Sequence, residues 1–171
     1  MKAHFIVKTI LCLLLWSSAG FSFEEISIDS YLKGVFGKSV PVPKAVWIMG
    51  DLKETIKQAT NGSTVKLREK YWSDGDNLVL VLEQIGKTEL ITTAWHLKDN
   101  KVVNTKVLMY RESRGGEVAN SFFTKLFKGL GLSNDHDLDS HVDGISGATL
   151  SVRAMKKMAK QALLLSEHLN K

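Results

Sequence analysis

From Leu78 to Tyr110 the chain reads LVLVLEQIGKTELITTAWHLKDNKVVNTKVLMY, and this stretch decides the fold. Leu78 to Leu82 is a short apolar run rich in β-formers. Gly86-Lys87 makes a turn, Leu90 to Leu97 is a second extended run, and Asp99-Asn100 is a tight-turn dipeptide leading into Val102 to Tyr110. Strands this close in sequence, joined by short polar turns, pair with opposite directions, so the segment predicts an antiparallel meander. Upstream, Val65 to Arg68 alternates, and Tyr71-Trp72 leads into the turn Ser73 to Asn77, which adds strand material on the same side.

Helical periodicity flanks this block. Ile28, Tyr31, Leu32 and Val35 are spaced for one face of a lead-in helix within residues 24–37. A second helix is expected from Asp51, acting as a cap with Glu54 as its capping-box partner, and ending at Thr60-Asn61-Gly62. After Gly115-Gly116, residues Val118, Phe122, Phe123, Leu126 and Phe127 form an apolar stripe that stops at Gly129. The last helix is expected to start near Ser151 as N-cap. It would bury Val152, Met155, Met158, Ala159, Ala162 and Leu165, and show Lys156, Lys157 and Lys160 to solvent. The fold class is therefore α+β: an antiparallel β-meander flanked by helices, one domain over residues 23–171, divisible into a lead-in with first strands (23–89) and a C-terminal region (90–171).

The chain begins with a different texture. Lys2 and Lys8 precede the apolar run Ile10 to Trp16, and Ser17 to Gly20 are small, which is the pattern of a secretory signal over residues 1–22, cut after Gly20 or Ser22. The run is shorter than the ~20 apolar residues a membrane span needs; an uncleaved N-terminal anchor is the alternative. The formal net charge is +5, and loss of Lys2 and Lys8 with the leader would leave an excess of three. Cations and acids are interspersed, with no basic stripe interleaved with aromatics, so no nucleic-acid partner is expected. The one cysteine, Cys12, would leave with the leader. The mature chain would then have no thiol for disulfides, iron–sulfur clusters or c-type haem, and redox work would fall to an organic cofactor or to His and carboxylate metal sites.

The chemistry concentrates in Asp143-Gly144-Ile145-Ser146-Gly147-Ala148-Thr149-Leu150-Ser151. Tiny side chains at Ser146, Gly147 and Ala148 leave backbone amides uncovered just before a helix, whose first turn adds unpaired N–H groups and a positive dipole end. Such a place suits a phosphate, and Thr149 offers a hydroxyl there. Arg153 or Lys156 on the following turns is positioned to moderate a phosphodiester's charge. On local chemistry alone, a plain loop capping a helix explains the same residues.

Asp143, Ser146, Gly147, Ala148 and Thr149 resemble the flavinylation motif of the FMN-binding domain family, which includes subunits of sodium-pumping and Rnf-type electron-transport complexes. Glu112-Ser113-Arg114-Gly115-Gly116 after a strand is similar to the family's second signature, with Ser113 where Thr is usual. Together the two blocks cover roughly Leu90 to Leu165. The resemblance implies FMN esterified through its phosphate to Thr149 by a flavin transferase that draws on FAD and magnesium. It also implies cofactor contacts from Asp143, Ser146, Gly147, Ala148, Leu150 and Ser151. Gly115 and Gly116 would let backbone approach the flavin ring. Glu112 would bond the ribityl chain or a neighbouring amide, or stand as a surface charge; Arg114 would sit near the ring's pyrimidine edge or be solvated.

The function expected is that of an electron carrier, periplasmic or otherwise exported, free or peripheral to the inner membrane, working between a membrane-bound or periplasmic redox protein and an acceptor. No catalytic residues of a self-contained oxidoreductase are visible. The alternatives are a flavin-dependent reductase of a small acceptor, and a cofactor-free secreted module binding metal through Asp135 to His141, a stretch that reads more simply as a solvated loop because it lacks the glycine and glutamate of an EF-hand. His96 reads as a pairing or packing residue, and Trp47, Trp72 and Trp95 as core or sheet aromatics.

Overall fold

A computed structural model of the protein describes residues 25–171, so the expected signal segment lies outside the described residues. The meander is present as one five-stranded sheet in sequence order: β1 (Lys44–Trp47), β2 (Arg68–Ser73), β3 (Leu78–Ile85), β4 (Leu90–Lys98) and β5 (Lys101–Tyr110). Every neighbouring pair is antiparallel. The turn chemistry explains the register. Asp99 and Asn100 take φ of 51° and 55°, the two left-handed conformations that a two-residue hairpin loop demands. At the β2–β3 turn the Asp74 carboxylate accepts from the amides of Asn77 (2.7 Å) and Asp76 (3.1 Å). Edge strand β1 follows Pro43 directly and is too short for alternation to reveal it in the sequence.

Side chains alternate across the sheet as strand geometry requires. Leu78, Leu80 and Leu82 face the main core with Trp95, while Val79 joins Trp72 and Leu32 in a second cluster on the opposite face. That second face is covered by α1 (Ile28–Phe36), whose N-cap Ser27 accepts from the Ser30 amide at 3.2 Å. Ile28, expected on the buried face, is instead exposed. The main face is covered by α4 (Thr149–Leu169), which packs on β3 and β4 with α2 (Gly50–Ala59) beside it. All six apolar residues expected on the inner face of α4 are buried.

Three local expectations change. The helix expected to be capped by Asp51 begins two residues earlier, with Met49 at the cap position and no side-chain cap. Glu54 pairs with Lys57 at 3.1 Å rather than closing a capping box, because the earlier start places Asp51 inside the first turn. The expected aromatic helix after Gly116 breaks into a 3-10 turn (Gly116–Ala119), the short α3 (Ser121–Thr124) and a second 3-10 turn (Lys125–Phe127). Only Val118, Phe123 and Phe127 of its stripe are buried, and Phe127 meets Trp95 edge-on at 5.3 Å; Phe122 and Leu126 face outward. Of the tryptophans, Trp72 and Trp95 are buried, whereas Trp47 lies exposed with the Arg68 guanidinium 5.6 Å above its ring.

One acid lies inside. Glu69 on β2 is 6% exposed, beside the equally buried Gln161 of α4. Burial pushes its carboxyl up to about 7, against the partial relief given by Lys66 and the Gln161 side chain. A carboxyl that holds its proton more tightly when folded loses stability as pH rises from its ordinary value of 4.5 to about 7, since the unfolded chain ionises first. Glu69→Gln is therefore expected to match the wild type below pH 4 and to exceed it by on the order of 2 kcal/mol at pH 8. Urea unfolding across that range checks this; a variant equally or less stable at pH 8 refutes it.

Candidate functional site

The two sequence blocks meet in space at one end of α4. β5 ends at Tyr110, whose hydroxyl donates to the Arg114 carbonyl at 2.5 Å and shares a hydrogen bond with Ser151 Oγ at 2.9 Å. Ser151 is thus not the N-cap expected for it. It sits in the first turn of α4, buried, bonded to the strand that carries the second block. Tyr110 was not singled out in the sequence, where it reads only as the aromatic end of a strand.

Gly115 makes this approach possible. Its φ is +83°, and a Cβ there would lie 2.8 Å from Ser151 Oγ and 3.0 Å from the Tyr110 hydroxyl. The missing side chain is thus taken up by packing of the loop onto α4, and Gly116 beside it is buried as well. Glu112 turns away from α4. Its carboxylate accepts from the amides of Lys87, Thr88 (2.7 Å) and Glu89 (2.9 Å) and from the Thr88 hydroxyl (3.1 Å). Of the roles considered for it, bonding neighbouring amides is the one the geometry displays, and it pins the β3–β4 hairpin turn to the end of β5. Desolvation opposes its ionisation, but the three amides outweigh that and hold the carboxyl below its ordinary value. Arg114 is exposed.

The start of α4 has the character expected of it. The Ala148 amide donates to the Ile145 carbonyl at 3.0 Å, closing a turn whose third residue, Gly147, has φ +82°. That conformation favours glycine. Ala148 occupies the cap position and no side chain caps the helix. The amides of Thr149, Leu150 and Ser151 therefore have no acceptor among the described residues. Thr149 is the first helical residue and is exposed, as are Ser146, Gly147 and Leu150, while Ala148 is buried and anchors the turn. Asp143 is exposed, 3.6 Å from His141 Nε2.

Beside this helix start, an open cleft of about 530 Å³ separates α4 from the end of α2 and the loop 137–142. Arg153, Lys156, Lys157 and Lys160 form its α4 wall. Lys160 closes the inner end, donating to the Ala59 carbonyl (3.1 Å) and pairing with Asp137 (2.9 Å). Asp139 pairs with Lys101 at 3.3 Å. Asp137 and Asp139 thus serve as structural partners of lysines, and no cluster of three metal-ligating side chains occurs among the described residues. His96 lies within bonding distance of Asn77 Oδ1, at 2.9 Å, a pairing role on the sheet.

An uncapped helix start with an exposed hydroxyl, buttressed from behind by a strand end, has the chemistry to receive a phosphate. Residues 86–164 match the FMN-binding domain model, so the chain carries an FMN-binding domain. The matched segment opens at the hairpin turn that Glu112 holds and runs through β4, β5 and most of α4. Comparison with curated proteins returns no match. The site's residues fit the phosphate of FMN, since the open amides of residues 149–151 lie next to the exposed Thr149 hydroxyl. Among the described residues no helix is long and apolar enough to cross a membrane.

The dependence on Gly115 is measurable. Gly115→Ala is expected to cost roughly 2–4 kcal/mol in denaturant unfolding, from left-handed strain plus displacement of Ser151 or Tyr110. Gly129→Ala is the reference, because Gly129 has nearly the same φ (+85°) with nothing within 4 Å of an added Cβ. Equal losses in the two variants would show that the contact with Ser151 is not tight.

Proposed function

We propose that this protein is an exported electron carrier whose FMN is joined through its phosphate to Thr149 Oγ1. The observation that carries this reading is the exposed first residue of α4 on an otherwise uncapped helix start. Threonine attachment needs an accessible hydroxyl next to a place that tolerates a negatively charged phosphodiester, and an uncapped helix N-terminus is such a place. The modifying partner would be a flavin transferase. Thr149 Oγ1 gives up its proton and bonds to the phosphorus of the FMN half of FAD, while the bond to AMP breaks and AMP leaves.

FMN supplies the one- and two-electron redox chemistry; the chain supplies its placement. Ser151 and Tyr110 hold the helix start in position, Gly147 shapes the turn in front of it, and Ser146 and Gly147 keep its approach free of bulk. Asp143, Ser146, Gly147 and Ala148 would form the stretch that the transferase reads, with Leu150 and Ser151 behind Thr149. Arg114, Gly115 and Gly116 would flank the cofactor. Export rests on the leader pattern of residues 1–22. A carrier located outside the cytoplasm gains from a covalent bond because a lost cofactor is not replaced there. Its redox partners would be membrane-bound or periplasmic proteins.

Intact-mass measurement after co-expression with a flavin transferase tests the attachment. Wild type should gain the mass of FMN less one water and keep its yellow colour after denaturation. Thr149→Val should gain nothing yet unfold within about 1 kcal/mol of wild type, since an exposed hydroxyl without hydrogen-bond partners is removed. A Thr149→Val protein that still acquires the full mass would overturn the assignment.

A further inference from the structure

A carrier must come close to another redox molecule, and the charge around Thr149 indicates what that molecule presents. Arg153 lies one turn beyond Thr149 and Lys156 and Lys157 two turns beyond, along the wall of the cleft. Arg114 stands on the other side of the helix start, where its carbonyl receives the Tyr110 hydroxyl. None of these four side chains is hydrogen-bonded or within ion-pairing distance of a carboxylate among the described residues. Of the cleft's own acids, Asp137 pairs with Lys160 at 2.9 Å and attracts Lys156 only at longer range, and Asp139 pairs with Lys101. Three acids remain at this end, the exposed Asp143 and Glu117 and the half-buried Glu112, whose charge the amides of residues 87–89 stabilise without cancelling. Arg153, Lys156 and Lys157 lie together on the cleft side of Thr149, so that side stays positive even with the single negative charge of a phosphodiester added.

Unpaired surface cations contribute little to folding, but they raise the encounter rate with an oppositely charged partner and orient it before contact. We infer that the rim formed by Arg114, Arg153, Lys156 and Lys157 is the docking face for an acidic redox protein, which it orients onto the cofactor. This rests on the attachment at Thr149 proposed above. An anionic membrane surface would also attract these cations. It fits less well, because the three cations of α4 line a concave cleft and Leu150, 41% exposed, is the single exposed apolar side chain in the first turn of α4 beside them. A bilayer-binding face presents several apolar side chains for insertion.

The test uses the flavin-loaded protein, its load verified by intact mass, chemically reduced without oxygen and mixed with cytochrome c in two forms. One is native and basic; the other has its lysines succinylated and is acidic. Each reduced flavin passes one electron to each of two ferric haems, making them ferrous and releasing protons to solvent. The acidic form should be reduced on the order of tenfold faster at low salt, with the advantage fading as salt is raised. The combined variant Arg153→Gln, Lys156→Gln, Lys157→Gln should lose most of that preference, read as the ratio of the two rates. Equal, salt-independent rates in the wild type, faster reduction of the basic form, or an unchanged ratio in the variant would overturn the inference. So would salt-sensitive binding to phosphatidylglycerol vesicles through the same residues without any preference between the cytochromes. A missing mass gain counts against attachment at Thr149, whereas a loaded protein indifferent to the charge of its partner counts against docking.

Discussion

The arrangement depends on α4 being tied to β5 at both ends. At one end Tyr110 bridges Ser151 and the Arg114 carbonyl; at the other the Asn100 side chain accepts from Ser166 (2.8 Å) and Asn170 (2.7 Å). Between the ties the helix buries a continuous apolar face on β3 and β4. A long helix clamped this way cannot slide by a residue without breaking both ties and misplacing every buried side chain. The position of Thr149 is therefore fixed by hydrogen bonds to residues as distant in sequence as Asn100, and its exposure follows from the burial of Ala148 on one side and Ser151 on the other.

The same clamp reconciles two demands on the helix start. A helix end in a stable domain ordinarily has its amides capped by a side chain. Here the one hydroxyl in the first turn that is buried, Ser151, is committed to Tyr110, and the cap position holds Ala148. The loss of capping, typically ~1 kcal/mol, is offset by tertiary packing and leaves the amides open to a phosphate. Gly115 belongs to the same economy of space: the loop after β5 reaches the helix because nothing projects from that residue.

Much of this was legible in the sequence. The β3, β4 and β5 runs are bounded by turn residues with specific backbone demands, so their positions follow to within a few residues, and the inner face of α4 follows from apolar spacing. The small-residue turn before Thr149 was legible as a place for phosphate for the same local reason. What escaped was set by contacts distant in sequence. Ser151 looks like a cap until Tyr110, 41 residues earlier, claims its hydroxyl. For Glu112 the sequence leaves the ribityl chain, a neighbouring amide and a plain surface charge open, and only the approach of the hairpin turn at residues 87–89 decides for the amides. The stripe from Val118 to Phe127 has helical spacing, yet the short connection from Gly115 to Gly129 breaks it into three turns, which turns Phe122 and Leu126 outward.

The central claim is that the helix start presents Thr149, and no other hydroxyl, for modification. Ser146 and Ser151 lie within a few residues, so the most direct measurement is fragmentation mass spectrometry of the tryptic peptide spanning residues 129–153 from flavin-loaded protein. The phosphoester is expected on Thr149 alone, because Ser151 is buried and bonded to Tyr110, and the exposed Ser146 precedes the helix instead of lying in its first turn. Flavin mapped to Ser146, to Ser151 or to any other peptide would contradict it.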